Sequence, residues 1–182
     1  MPQFMGPSPQ SVLRGYFRAK DENRPHVLID VFSADADLRV VNNTESIAFP
    51  AAAHGRQAIA DVLVRSFAQT YENVYSFYMA SPPVEATEFS CDWLVGMTEK
   101  ESKSVRVGCG RYDWTFQAEV PGLASRLVIT IEAMQVLPPN HFEPVIAWLQ
   151  QLSYPWASSS EVAKLAPNLD PLAPVLQYLG RQ

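Results

Sequence analysis

An α+β domain is the fold class the sequence predicts, on three observations. Apolar residues recur at helical spacing in the first third of the chain, the period changes to that of strands from Val74 onward, and long strand segments then follow through short connections. Long strands in such succession form an antiparallel meander, which needs a helical layer over one face. At 182 residues, 47% of them apolar, the chain has the size of one domain with a substantial core.

After a loose lead-in over residues 1–7, Ser8-Pro9 reads as a helix start, because serine caps free backbone N–H groups and proline at the first helical position gives up no hydrogen bond. Val12, Leu13, Tyr16 and Phe17 share one face of this helix, which runs to about Asn23. Pro25 opens a short second helix with Leu28, Val31 and Phe32 on its apolar side. Val40-Val41 and Ile47-Ala48-Phe49, around Asn42-Asn43-Thr44, predict two short strands and a turn. Gly55-Arg56 begins a third helix, in which Ile59, Val62, Leu63 and Phe67 recur at packing intervals.

Strands are expected over Val74–Ala80, Phe89–Thr98, Val105–Gln117 and Arg126–Leu137. Pro82-Pro83 and Pro138-Pro139 end the first and last of these, since proline cannot donate to a ladder. Glu99 to Ser104 is a charged hairpin tip. A helical tail follows, in which Asn140 with Glu143 looks like a capping box and Val145, Trp148, Leu149 and Leu152 make an apolar face. Val162–Leu165 and Leu172–Leu179 are weaker helical segments separated by prolines. The tail is too rich in large apolar residues for disorder, and is expected to pack on the domain or on a second subunit.

A net charge of −5 and the lack of any Lys/Arg cluster argue against nucleic acid and anionic lipid surfaces as partners. Met1 to Ser11 carries no apolar stretch of a secretory signal, and no apolar run reaches membrane-spanning length, so cytoplasmic residence is expected. In the expected register Cys91 lies near Tyr112 and Cys109 near Leu94, which keeps the two sulfurs apart as free, buried thiols. The three histidines form no metal-binding pattern, and the nucleotide, zinc-protease and serine-hydrolase signatures are missing, so neither metal nor cofactor is expected.

Val12-Leu13-Arg14-Gly15-Tyr16-Phe17, followed by Val27-Leu28-Ile29-Asp30-Val31-Phe32-Ser33-Ala34-Asp35-Ala36, resembles the first helix and the "lxxlFadDa" phrase of the NTF2-like superfamily, also called SnoaL-like or ketosteroid-isomerase-like. Gly55-Arg56-Gln57-Ala58-Ile59 is similar to that superfamily's "GreaI" opening of the third helix. The resemblance covers residues 8 to 137 and leaves 138–182 as an extension. It implies a cone: three N-terminal helices on a strongly curved, mostly antiparallel sheet, open at one end to a small molecule and dimerising through the outer sheet face. Such cones host isomerases, dehydratases, hydrolases, cyclases and noncatalytic modules, so the residues must decide.

The resemblance puts Tyr16 where ketosteroid isomerases keep an oxyanion-stabilising tyrosine, while their general base falls on Val40 and their protonated acid near Tyr112. A phenol in an apolar pocket donates a strong hydrogen bond to an oxygen gaining charge; as a core aromatic, Tyr16 would bond to backbone instead. Strand alternation sends Tyr112, Trp114 and Phe116 to one face and Arg111 and Asp113 to the other. The resemblance assigns the aromatics to the cone interior, lining or filling it. Asp92, between Cys91 and Trp93, would be a proton acceptor if it pointed inward, and a surface residue otherwise; Glu132 poses the same question. The catalytic candidates are thus Tyr16, Asp92 and Tyr112, and the ligand-binding candidates Tyr16, Trp93, Tyr112, Trp114 and Phe116. The expected function is a pocket for a small apolar or aromatic ligand, with a filled-cone homodimeric or adaptor module as the alternative.

Overall fold

The computed structural model describes residues 6–119 and 122–181; residues 1–5 of the lead-in and Gln182 of the tail lie outside the described residues. Helix α1, Pro9–Asp21, begins in a capping box: the Ser8 side chain accepts from the Ser11 amide, and the Ser11 hydroxyl accepts from the Ser8 amide. The predicted face of Val12, Leu13, Tyr16 and Phe17 is buried, and Lys20, one turn beyond Tyr16, is buried with it. A 3-10 turn, Pro25–Asp30, takes the place of the short second helix.

Phe32, expected on that helix, instead opens strand β1, Phe32–Asn42. Pairing with the last strand pulls this segment out of the helical period: Ala36, Leu38 and Val40 turn inward, and Asp37, Arg39 and Val41 outward. Ile47-Ala48-Phe49 forms no strand; the Asn42 side chain ties the turn by donating to the Ile47 carbonyl and accepting from the Thr44 amide. The short strand β2, Ala52–His54, comes three residues later, where it pairs antiparallel with β1.

Gly55, at φ +89°, turns the chain from β2 into the next helix, a conformation side chains rarely adopt. Helix α2, Arg56–Ala60, passes through a π-helical turn, Asp61–Ser66, into α3, Phe67–Thr70. The wider π turn shifts the face: Val64 is fully buried and Val62 only in part, while Ile59, Leu63 and Phe67 pack as expected.

Strands β3 (Tyr71–Tyr78), β4 (Glu88–Glu99), β5 (Val105–Phe116) and β6 (Ala124–Leu137) complete one curved six-stranded sheet in the order β2-β1-β6-β5-β4-β3. Every neighbouring pair is antiparallel except β1 with β6. β3 starts before Val74 because Asn73, at positive φ, sits in a register shift that lets Tyr71 and Glu72 pair with β4. The β4–β5 register sets Cys91 opposite Tyr112 and Leu94 opposite Cys109, and both thiols are free and buried. The ladder between β5 and β6 shifts at Cys109/Gly110, where a Cβ on Gly110 would lie 1.9 Å from the Thr130 carbonyl oxygen; glycine permits this close approach.

Two cores flank the sheet. Inside, α1 and the helix over residues 56–70 pack on Trp93, Tyr112, Trp114 and Leu127. Outside, Phe77, Leu94, Val107, Cys109 and Leu137 are covered by the tail, whose helices are α4 (Phe142–Gln151), α5 (Ser159–Leu165) and α6 (Ala173–Leu179). The Asn140/Glu143 capping box does not form: Asn140 lies in a 3-10 turn, Pro139–His141, and His141 stands at the helix start. Trp148 is buried and donates its indole N–H to the Val162 carbonyl at 3.1 Å. Residues 155–157 also cover the free edge of β3, where the Tyr78 amide donates to the Pro155 carbonyl and the Ala157 amide to the Tyr78 carbonyl. Among the described residues, no helix is long and apolar enough to cross a membrane.

Candidate functional site

Inside the curled sheet, between α1 and strands β4 to β6, large aromatics leave a cavity of about 50 Å³. Tyr16 reaches it from α1, Trp93 from β4 and Tyr112 from β5, and all three are buried. The Tyr16 and Tyr112 rings meet edge to face with centroids 5.7 Å apart, and Trp93 stacks on Tyr112 at 5.6 Å. Burial pushes the pKa of each tyrosine well above the ordinary phenol range, so both hydroxyls stay protonated, and the two are close enough to interact with each other. The Trp93 indole N–H, also buried, has no hydrogen-bond partner among the described residues. Aliphatic and thioether side chains, including Val95, Ile129 and Met134, make up much of the remaining wall.

Trp114 and Phe116 face inward as strand alternation predicts, but they stand behind the tyrosines rather than on the cavity wall. They stack on each other at 6.1 Å, and Trp114 packs edge-on against Tyr16 at 5.3 Å. Their expected contact with ligand is therefore corrected to support of Tyr16: Phe32 and α1 fill the space in front of Trp114.

Asp92 is the second correction. It alternates out of the cone, and on the outer face it accepts from the Tyr178 hydroxyl at 3.1 Å and pairs with both terminal nitrogens of Arg181 at 3.0 Å. It anchors the tail and is no proton acceptor for the cavity. Arg111 and Asp113 lie on the same outer face as an exposed pair at 2.9 Å. Glu132 falls in the β6 register shift and accepts weakly from Asn43. His54 pairs with Asp37 at 2.7 Å in the open, which holds the imidazole pKa above its ordinary value and the carboxyl below its own.

Sequence reasoning missed Lys20. Its ammonium donates to Asp21 Oδ1 at 2.7 Å and to Ser76 Oγ at 3.0 Å, and the Ser76 hydroxyl donates to the same carboxylate oxygen at 3.0 Å. The ammonium lies 4.9 Å from the Phe67 ring centroid and 6.0 Å from that of Tyr16, and the residue lines the cavity. Desolvation raises the Asp21 pKa, opposed by Lys20 and Ser76. The available signal was spacing: Lys20 follows Val12 and Tyr16 at intervals of four on a face otherwise apolar. No group of three or more metal-ligating side chains occurs among the described residues.

No family model matches the sequence, and no curated protein does either. Solved structures do. A protein from Catenulispora acidiphila with a ketosteroid-isomerase-like fold, in complex with trimethylamine, aligns at 15% identity and TM-score 0.51 over 65% of this chain and 82% of its own. An NTF2-like protein from Burkholderia thailandensis aligns at 8% identity and TM-score 0.54, over 68% and 90%. The epoxide hydrolase/cyclase-like enzyme SalBIII aligns at 13% identity and TM-score 0.51, over 68% and 89%. The chain has the NTF2-like fold, and proteins of that fold differ widely in what they do.

Proposed function

We propose that this chain is a small-molecule-binding protein whose site is the cone cavity, and that its ligand is small, largely apolar and carries an acceptor oxygen. The observation that carries this reading is the buried Trp93 N–H left without a partner beside the Tyr16 and Tyr112 phenols. Buried donors are nearly always paired, and Trp93 lines the cavity, so an acceptor oxygen on a ligand would supply the partner its N–H lacks. Catalysis, if the ligand reacts, falls to Tyr16 and Tyr112 polarising that oxygen, as in an isomerase, dehydratase or hydrolase without a cofactor. The reading takes 8–137 as the cone domain and 138–182 as an extension closing its outer face. Two buried, unpaired cysteines suit a reducing compartment, so it includes cytoplasmic residence.

Screening small carbonyl compounds and alcohols by tryptophan fluorescence supplies the test. Leaving a buried ligand oxygen unpaired costs about 1–3 kcal/mol, so Tyr16→Phe and Tyr112→Phe should each weaken binding by roughly five- to a hundredfold with little change in melting midpoint. Unchanged affinity in both variants would remove the tyrosines from the site.

One observation favours a second reading, a noncatalytic homodimeric or adaptor module: about 50 Å³ is far below the roughly 300–1,000 Å³ of ordinary ligand sites. Dimerisation through the sheet would use the half that the tail leaves open. There Arg39, Val128 and Asp113 stand side by side on β1, β6 and β5. A two-fold axis along β6 would set each Arg39 over the partner's Asp113. Light scattering should then report twice the 20.3 kDa chain mass, reduced to one in Asp113→Arg. A wild-type monomer at micromolar concentration would end the dimer reading.

A further inference from the structure

Lys20 is the one charged residue in the buried class among the described residues. An ion pair joining α1 to β3 explains Asp21 and Ser76, which hold two of the ammonium's three hydrogens. It does not explain why this side chain also lines a cavity that is otherwise almost wholly apolar and aromatic. Lys20 and Phe67 also line a surface hollow with Asn23 and Tyr71, so these two side chains stand between the cavity and solvent. The same wall carries Tyr16, Tyr112 and Trp93, side chains with polar hydrogens to donate. A desolvated lysine with a carboxylate in contact and donors for an oxygen across a small cavity has the parts of an amine nucleophile.

We propose that Lys20 is a carbonyl-reactive amine that captures a small aldehyde in the cone as an imine. The inference rests on the reading of the cavity as a small-molecule site. The ammonium first passes a proton to Asp21 Oδ1, 2.7 Å away, a carboxyl whose pKa burial raises. The freed lone pair of Nζ forms a bond to the carbonyl carbon as the C=O π pair moves to oxygen. That oxygen accepts hydrogen bonds from the wall donors and takes up a proton released by the nitrogen. Asp21 then returns its proton to the hydroxyl; the C–O bond breaks, water leaves, and the nitrogen lone pair closes the C=N bond. The product is a protonated imine paired with the Asp21 carboxylate, and the sum is amine plus carbonyl giving imine plus water, with no oxidant or reductant. Since a cavity of about 150 Å³ takes benzene with its six heavy atoms, about 50 Å³ suits an aldehyde of one or two carbons.

Acetaldehyde with cyanoborohydride converts such an imine to a stable ethylamine, and peptide mapping by mass spectrometry locates it. Lys20 should be labelled about tenfold ahead of Lys100, Lys103 and Lys164, which compete on the surface. Asp21→Asn should slow labelling at Lys20 by about 10²-fold, the range of a lost general acid–base group, and leave the surface lysines unchanged. Lys20→Arg should abolish the fast phase alone. Label confined to surface lysines in the wild-type protein overturns the proposal. Xenon NMR on the same sample separates two failures: xenon in the cavity without label at Lys20 overturns the amine role and keeps the small-molecule site, and neither overturns both.

Discussion

Over residues 93–98 and 105–110, strands β4 and β5 bury both of their faces, and they do so by different means. The inner face, with Trp93, Val95, Tyr112, Trp114 and Phe116, is closed by α1 and by the helix over residues 56–70. The outer face, with Leu94, Val105, Val107 and Cys109, is closed by the last forty or so residues, which return across the sheet. The indoles show the difference most plainly. Trp148, on the outer side, donates to the Val162 carbonyl, whereas Trp93 and Trp114, on the inner side, have no partner among the described residues. Asp92, too, is fully engaged outside, by Tyr178 and Arg181. The outer face is thus closed by paired polar groups as well as apolar contacts, while the inner face carries two indole N–H groups without a partner among the described residues.

The strongest way to break this comparison is to remove the outer cover. Each large aliphatic side chain buried there contributes about 1.5–3 kcal/mol, against a net stability of about 5–15 kcal/mol for a whole domain. Deleting residues 140–182 exposes Leu94, Val105, Val107 and Leu137 together, so the truncated chain should be insoluble or lack a cooperative melting transition. A soluble truncation with the wild-type midpoint would show the outer core to be dispensable.

A gentler variant sharpens the same point. Asp92→Asn removes the anchor of α6 and leaves the apolar contacts. Because the Arg181 side chain is 44% exposed, solvent screening holds the loss to about 1 kcal/mol or less. Hydrogen exchange should quicken over Ala173–Leu179 while β4 and β5 keep their protection. A destabilisation equal to that of the truncation would mean the anchor, and not apolar burial, closes the outer face.

The smallest effect belongs to the open pair of His54 and Asp37, which serves neither core. The folded-state pKa of His54 lies above its ordinary 6.5, so its contribution is present below that value and is lost as pH rises through the folded pKa. Asp37 is depressed below its ordinary 3.8, so its contribution is present above that value and is lost as pH falls through the folded pKa. The pair therefore acts between those limits. An NMR titration should find the His54 midpoint above 6.5 and see it fall in Asp37→Asn. A midpoint unmoved by that substitution would show the pair to be absent in solution.

The sequence by itself determined the elements whose signals are local. The Ser8-Pro9 start, the Val12/Leu13/Tyr16/Phe17 face and the β4–β5 register follow from capping, from the helical and strand periods and from a charged tip too short for any other connection. The strand period also placed Tyr112, Trp114 and Phe116 on one face, and the resemblance to the NTF2-like superfamily set Tyr16 in the same interior. Tertiary structure alone decided which face Asp92 joins, because strand parity becomes inward or outward only when a helical layer takes one side. It also decided that Ala52–His54 pairs with β1 while Ile47–Phe49 does not, since a short strand exists only through its partner. The role of Lys20 was decided there as well: a lysine at a core interval is buried only if Asp21 and Ser76, the latter on β3 more than fifty residues away, come together to receive its charge.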